Sequence, residues 1–139
     1  REHGFGVQLP QGFVIRPPDA SKASAFKPAP VASFFIMNPA MAAGSLAGIE
    51  PPDLQLRIFH AADQPSLQHW LIAAGLAPGT GGAGIKAYRS GAVSGLEVCP
   101  QTLIAPGCSV YVLGRGLVYQ MTPGTLEGER ILRSFSLLP

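Results

Sequence analysis

The density of glycine and proline restricts the fold of this chain more than any other feature: 17 glycines and 14 prolines, 31 together in 139 residues. Proline inside a helix removes a hydrogen bond and clashes with the preceding turn, and glycine there costs about 1 kcal/mol relative to alanine. A chain punctuated this often favours short strands joined by turns. Hydrophobic residues make up 47% of it and charged residues only 13%, so it collapses around a core rather than staying disordered. The length suits a single domain over residues 1–139, with no linker or internal repeat dividing it.

The charge pattern excludes two classes of partner. Net charge is +2, and the ten basic residues stand singly between Arg1 and Arg133. No basic stripe interleaved with aromatics is present, so the electrostatic footprint of a nucleic-acid binder is missing. The longest uncharged run, between Lys27 and Glu50, is broken by Pro28, Pro30, Pro39, Gly44 and Gly48 and is mostly alanine where it is apolar. A spanning helix needs about 20 strongly apolar residues, so no transmembrane segment is expected. The sequence opens at Arg1 without methionine or an apolar leader. That reads as the edge of an expressed piece or as the trimmed mature end of an exported protein. A removed leader ending in cysteine would make it a lipoprotein, held by a lipid anchor.

Along the chain, Phe5, Val7 and Leu9 alternate with Gly6 and Gln8, and Pro10-Gln11-Gly12 precede Phe13-Val14-Ile15. Together they predict an opening hairpin. Residues 33–37 predict a short strand, 40–52 a long loop, and Leu54, Leu56 and Ile58 a strand with one apolar face. A helix follows, capped by Asp63 or Gln64 with Pro65 in its first turn; Leu67, Trp70, Leu71 and Ala74 form its apolar stripe, and Gly75 and Pro78 stop it. Residues 79–84 read as a glycine-rich connection. Residues 85–89 and 96–98 predict strands, and 109–113 with 117–121 a tight hairpin around Gly114-Arg115-Gly116. Thr125 caps a last short helix, with Glu127 and Glu129 near its positive end and Ile131, Leu132 and Phe135 toward the core. Strands interrupted by helices in this order predict an α+β fold, an antiparallel sheet packed against helices.

Cys99 and Cys108 are the only cysteines, nine positions apart with Pro100, Pro106 and Gly107 between them. Turn residues there bring the two within bridging range, and a disulfide closing so short a loop stabilises by roughly 2–3 kcal/mol. A bridge implies an oxidising compartment: secreted, periplasmic or at the cell envelope. The alternative is a pair of buried, inert thiols.

Catalytic chemistry has few carriers. His60, Asp63 and His69 lie near the junction of a strand and a helix, and they are the residues on which a small hydrolase or metal-dependent enzyme would depend. Their separations match no local ligand motif. Ser94, in Gly91-Ala92-Val93-Ser94-Gly95, lacks the arrangement of a nucleophile elbow. The glycines at 79, 81, 82 and 84 precede no Gly-Lys-Ser/Thr, so no phosphate loop is expected. No catalytic, cofactor-binding or metal-binding set is assigned. Segments 40–49 and 100–107 are uncharged and partly apolar, suiting either a partner or lipid surface or a fold back over the sheet. A second alternative presents the loop between Cys99 and Cys108, pre-organised by prolines, as a protease inhibitor.

The opening Phe5-Gly6-Val7-Gln8-Leu9-Pro10-Gln11-Gly12-Phe13 resembles the strand, Pro-x-Gly and aromatic start of the PsbP-like superfamily. Val110-Tyr111-Val112-Leu113, Val118-Tyr119-Gln120-Met121 and Ile131-Leu132-Arg133-Ser134-Phe135 resemble its closing hairpin and terminal helix. The resemblance implies an α/β/α sandwich and a binding or accessory role, as in exported bacterial members of unknown role. None of these motifs is catalytic. The expected function is a non-catalytic, exported binding or accessory domain without cofactor, its partner a protein or small molecule.

Overall fold

The computed structural model describes residues 4–16, 30–39, 52–61, 66–73, 85–91, 93–99 and 108–137. Its elements in order are β1 (Phe5–Gly6), β2 (Val14–Arg16), β3 (Ala32–Met37), β4 (Leu54–His60), α1 (Leu67–Ala73), β5 (Ile85–Ser90), β6 (Val93–Val98), β7 (Ser109–Gly114), β8 (Leu117–Pro123), α2 (Leu126–Arg133) and β9 (Ser136–Leu137). Seven strands form one antiparallel sheet in the order β2-β3-β4-β8-β7-β6-β5, and β1 pairs with β9 separately.

Alternation decides which face each strand buries. On β4, Leu54, Leu56 and Ile58 are wholly buried on one face, with Tyr119 and Met121 of β8 and Val110 and Val112 of β7 beside them. Helix α2 covers this face through Ile131 and Leu132. On the other face Phe59, Tyr111, Val118 and Val98 pack under Trp70 and Leu71 of α1. Trp70 is also tied by its indole N–H, which donates to the His60 carbonyl at 2.9 Å.

The tight β7–β8 hairpin closes on Gly114 opposite Leu117. Both intervening residues, Arg115 (φ 55°) and Gly116 (φ 77°), are left-handed, as a two-residue turn matched to the sheet's twist requires. Helix α2 begins at Thr125, whose Oγ1 accepts from the Gly128 N–H at 3.1 Å. Buried Asp53 braces the same end: its carboxylate accepts from the Thr125 hydroxyl (2.6 Å) and the Asn38 N–H (2.7 Å). Gly128 is obligatory there, since a Cβ would collide with the Asp53 carbonyl oxygen.

Three expectations are corrected. The expected α+β sandwich is replaced by a β-rich fold, because the two described helices are seven and eight residues long and each buries only two or three residues. Neither is long enough to make a layer, so the sheet supplies most of the core. The opening hairpin does not form either. The Pro10 turn exists, with the Phe13 N–H donating to the Pro10 carbonyl at 3.1 Å. It joins two strands that pair elsewhere: β2 with β3, and β1 with β9 at the far end of the chain. The Phe5 ring lies 5.7–6.2 Å from those of Phe135, Tyr119 and Phe34, and burial among them outweighs local pairing. Third, α1 is capped by Ser66, whose Oγ accepts from the His69 N–H at 3.2 Å. Asp63, Gln64, Pro65, Ala74, Gly75 and Pro78 lie outside the described residues, as do most of the loop at 40–52 and the connection at 79–84. No described helix is long and apolar enough to cross a membrane.

Candidate functional site

The site begins with a glycine inside a strand. β6 pairs with β7 only from Leu96 to Val98, whereas β5 pairs with β6 along its whole length, Ile85 to Ser90 against Val98 to Val93. The ladder to β7 stops at Gly95, where a Cβ would collide with the Tyr111 carbonyl oxygen. Only glycine permits that approach. Past it the hairpin tip is held on the α2 side, where Val93 is buried in the core cluster and the Ser90 hydroxyl donates to the Arg133 carbonyl at 3.0 Å. A tip anchored toward one face leaves a gap on the other.

That gap is an open groove of about 500 Å³ between the hairpin and the start of α1. Leu96, Leu113 and Ala87 form its floor, with Leu113 37% exposed. Arg89 and Ser94 rise from the hairpin on one side, and Ser66, Leu67 and Gln68 face them from α1. Arg89 makes no ion pair or hydrogen bond among the described residues. The other basic residue of the strand, Lys86, sits on the opposite face 3.6 Å from Glu97.

A polar row leads from the centre of the sheet to this floor. Arg57, Gln120, Tyr111, Leu96 and Ala87 stand side by side on successive strands. The Arg57 guanidinium donates to Gln120 Oε1 (3.3 Å), and Gln120 Nε2 donates to the Tyr111 hydroxyl (2.6 Å). Burial lowers the pKa of Arg57 and raises that of Tyr111, the latter against the opposing pull of Gln120 and Arg57. Burial also raises the Tyr88 phenol. Ser90 pulls the other way, and the buried Tyr88 oxygen has no hydrogen-bond partner by distance and angle among the described residues.

The residues singled out from the sequence fall differently. Cys99 and Cys108 form the disulfide, with Cα atoms 4.1 Å apart. His60 and His69 are both exposed, and Asp63 lies outside the described residues. The His69 Nδ1 is 2.7 Å from Ser66 Oγ, so its ring completes a helix cap. Among the described residues, one group of three side chains has metal-holding proximity: Glu97, Cys99 and Cys108, two of which are already bonded to each other. Residues 100–107, the proposed inhibitor loop, and the apolar segment 40–49 lie outside the described residues.

Sequence reasoning missed Arg89, Leu113 and the role of Gly95. The available signal was Gly95 itself, since a glycine inside a strand marks a close backbone approach. Comparison with family models, curated proteins and solved structures finds no match to this chain. The PsbP-like resemblance therefore rests on its motifs alone.

Proposed function

We propose that the protein is a non-catalytic binding domain of an oxidising compartment, secreted, periplasmic or at the cell envelope, and that it receives its partner in the groove between α1 and the β5–β6 hairpin. The make-up of that groove carries the reading: among the described lining residues there is an apolar floor, one guanidinium, a few hydroxyls, and no acid or histidine. Apolar surface with a few placed polar groups is the composition of a recognition site. The Ser–His contact at the groove's margin, Ser66 Oγ to His69 Nδ1 at 2.7 Å, is solvent-exposed, and the same Ser66 oxygen accepts from the His69 N–H as the cap of α1, so it is read as a helix cap. The Cys99–Cys108 bridge supports the compartment, since such bonds persist where thiols are not kept reduced.

Selection of random phage-displayed peptides against the oxidised protein and its Leu113→Glu variant tests the site. Leu113 is partly exposed, so the substitution charges the groove floor without opening the core. Enriched peptides should lose binding to the variant. Peptides that bind both forms equally place recognition elsewhere and refute the assignment. Protein isolated from its native source should carry no free thiol; two reactive thiols there would refute the compartment.

A further inference from the structure

We infer that the groove is filled by strand addition: an extended acidic peptide segment of a partner protein pairs antiparallel with the outer edge of β5, setting an acidic side chain against Arg89 and, two residues later, an apolar one over Ala87. This rests on the groove being the recognition surface and gives its ligand a chemistry.

The two edges of the seven-stranded sheet are unlike. β2 has three residues, whereas β5 has six, contains no proline, and pairs with β6 without a bulge. Among the described residues no strand pairs with the outer edge of β5, and edges of this kind accept a further strand unless something blunts them. Lysine is one such device, but Lys86 lies away from the groove with Glu97 beside it. The backbone geometry favours pairing on the groove side. A two-residue hairpin closes on a hydrogen-bonded pair, here Ser90 and Val93, and bonded and non-bonded pairs then alternate. The N–H and C=O groups of Arg89, Ala87 and Ile85 are thus the ones turned outward. Their side chains share one face, and those of Ala87 and Arg89 line the groove.

Side chains supply the specificity in this mode of recognition. A residue opposite Arg89 meets a guanidinium without a described partner, the fitting place for a carboxylate. The residue two further along faces Ala87, the smallest side chain of the row. It reaches over that methyl to Leu96 and Leu113. The motif is therefore acidic-x-apolar. A second copy of this chain does not satisfy it. β5 carries two cations and no acid, and self-pairing centred on Tyr88 or Ala87 would set Arg89 against Ala87 or Ile85.

The test uses the oxidised protein and the blocked peptide Ser-Thr-Glu-Thr-Leu-Thr-Ser, followed by amide NMR and hydrogen exchange. Binding should slow exchange at Ile85, Ala87 and Arg89, and weaken as salt is raised. Changing the peptide's Glu to Gln, or the protein's Arg89→Gln, should each cost about tenfold in affinity, the scale of one charge-assisted hydrogen bond. Arg89→Glu should prefer the peptide with Lys in place of Glu. Equal binding of the transposed peptide, with Leu before Glu, overturns the antiparallel register. Binding abolished by Leu113→Glu but indifferent to Arg89→Gln, without protection along β5, overturns strand addition and leaves the groove as the site. Concentration-dependent dimerisation that protects β5 in the absence of peptide overturns the choice of partner. Failure of this peptide to bind, alongside phage-selected peptides that ignore Leu113→Glu, overturns the inference and the site together.

Discussion

The β4–β8 pair and the β5–β6 hairpin are both antiparallel and in full register, yet they use their residues in opposite ways. β4 buries Leu54, Leu56, Ile58 and Phe59 and is flanked on both sides by other strands. The hairpin exposes Lys86, Ala87, Arg89 and Ser94, has one neighbour for half its length, and is anchored at its tip by one hydrogen bond and Val93. Burial on both faces makes a strand a scaffold. A strand that leaves its neighbour early provides an accessible edge and a gap, at the cost of local stability.

The largest effect should come from cutting into the central pair. Leu56→Ala removes a fully buried side chain and should cost about 3–4 kcal/mol in urea unfolding, lowering protection across the whole sheet. If only local protection falls, the central pair is not the common scaffold. Reducing the Cys99–Cys108 bridge should cost roughly 2–3 kcal/mol by loop entropy, and the loss should show in β6 and β7, which the bridge joins. Uniform loss would erase the contrast between the regions. Gly95→Ala forces the strands apart at the crossing and should cost about 1–3 kcal/mol, with amide exchange accelerating in β5 and β6 but not in β4. A smaller effect is expected at high pH. Burial holds the Tyr111 phenol above its ordinary value of 10.0, so above pH 10 the unfolded chain ionises first and binds fewer protons. Stability then falls as pH rises through that window and is intact below it. Tyr111→Phe should flatten this slope in urea titrations at successive pH; an unchanged slope assigns it to other groups.

Local chemistry was legible and long-range geometry was not. The β7–β8 hairpin and the Thr125 cap were readable because Gly114-Arg115-Gly116 and Thr125-Leu126-Glu127 determine their own conformations within a few residues. The opening hairpin was misread because Phe5 finds most of its neighbours, Tyr119, Phe135 and Leu137, more than a hundred positions away, as the bond from the Gln8 N–H to Ser134 Oγ records with a separation of 126. The first half of β6 was missed because Ser94 and Gly95 look like turn residues. Pairing with β5 makes them a strand, and the carbonyl of Tyr111 makes the glycine necessary. The groove follows from that crossing, so no periodicity in the sequence announces it. The α/β/α expectation failed for a related reason: an apolar stripe such as Leu67, Trp70 and Leu71 shows that a helix covers something, but not that helices form a layer.

The β1–β9 pair has a mechanical consequence. Phe5 faces Leu137 and Gly6 faces Ser136, so the first and last described strands run antiparallel, with their outer ends together. Tension applied through the two ends of the chain would not shear this seam but unzip it, one contact at a time: Phe5 from Leu137, then Gly6 from Ser136, then Gln8 from Ser134. Of the described backbone pairs, those of the seam would part before those of the seven-stranded sheet, with the packing of Phe5 on Phe34 and Tyr119 sharing the load. Pulling at the ends would thus probe the seam, whereas denaturant would probe the buried centre.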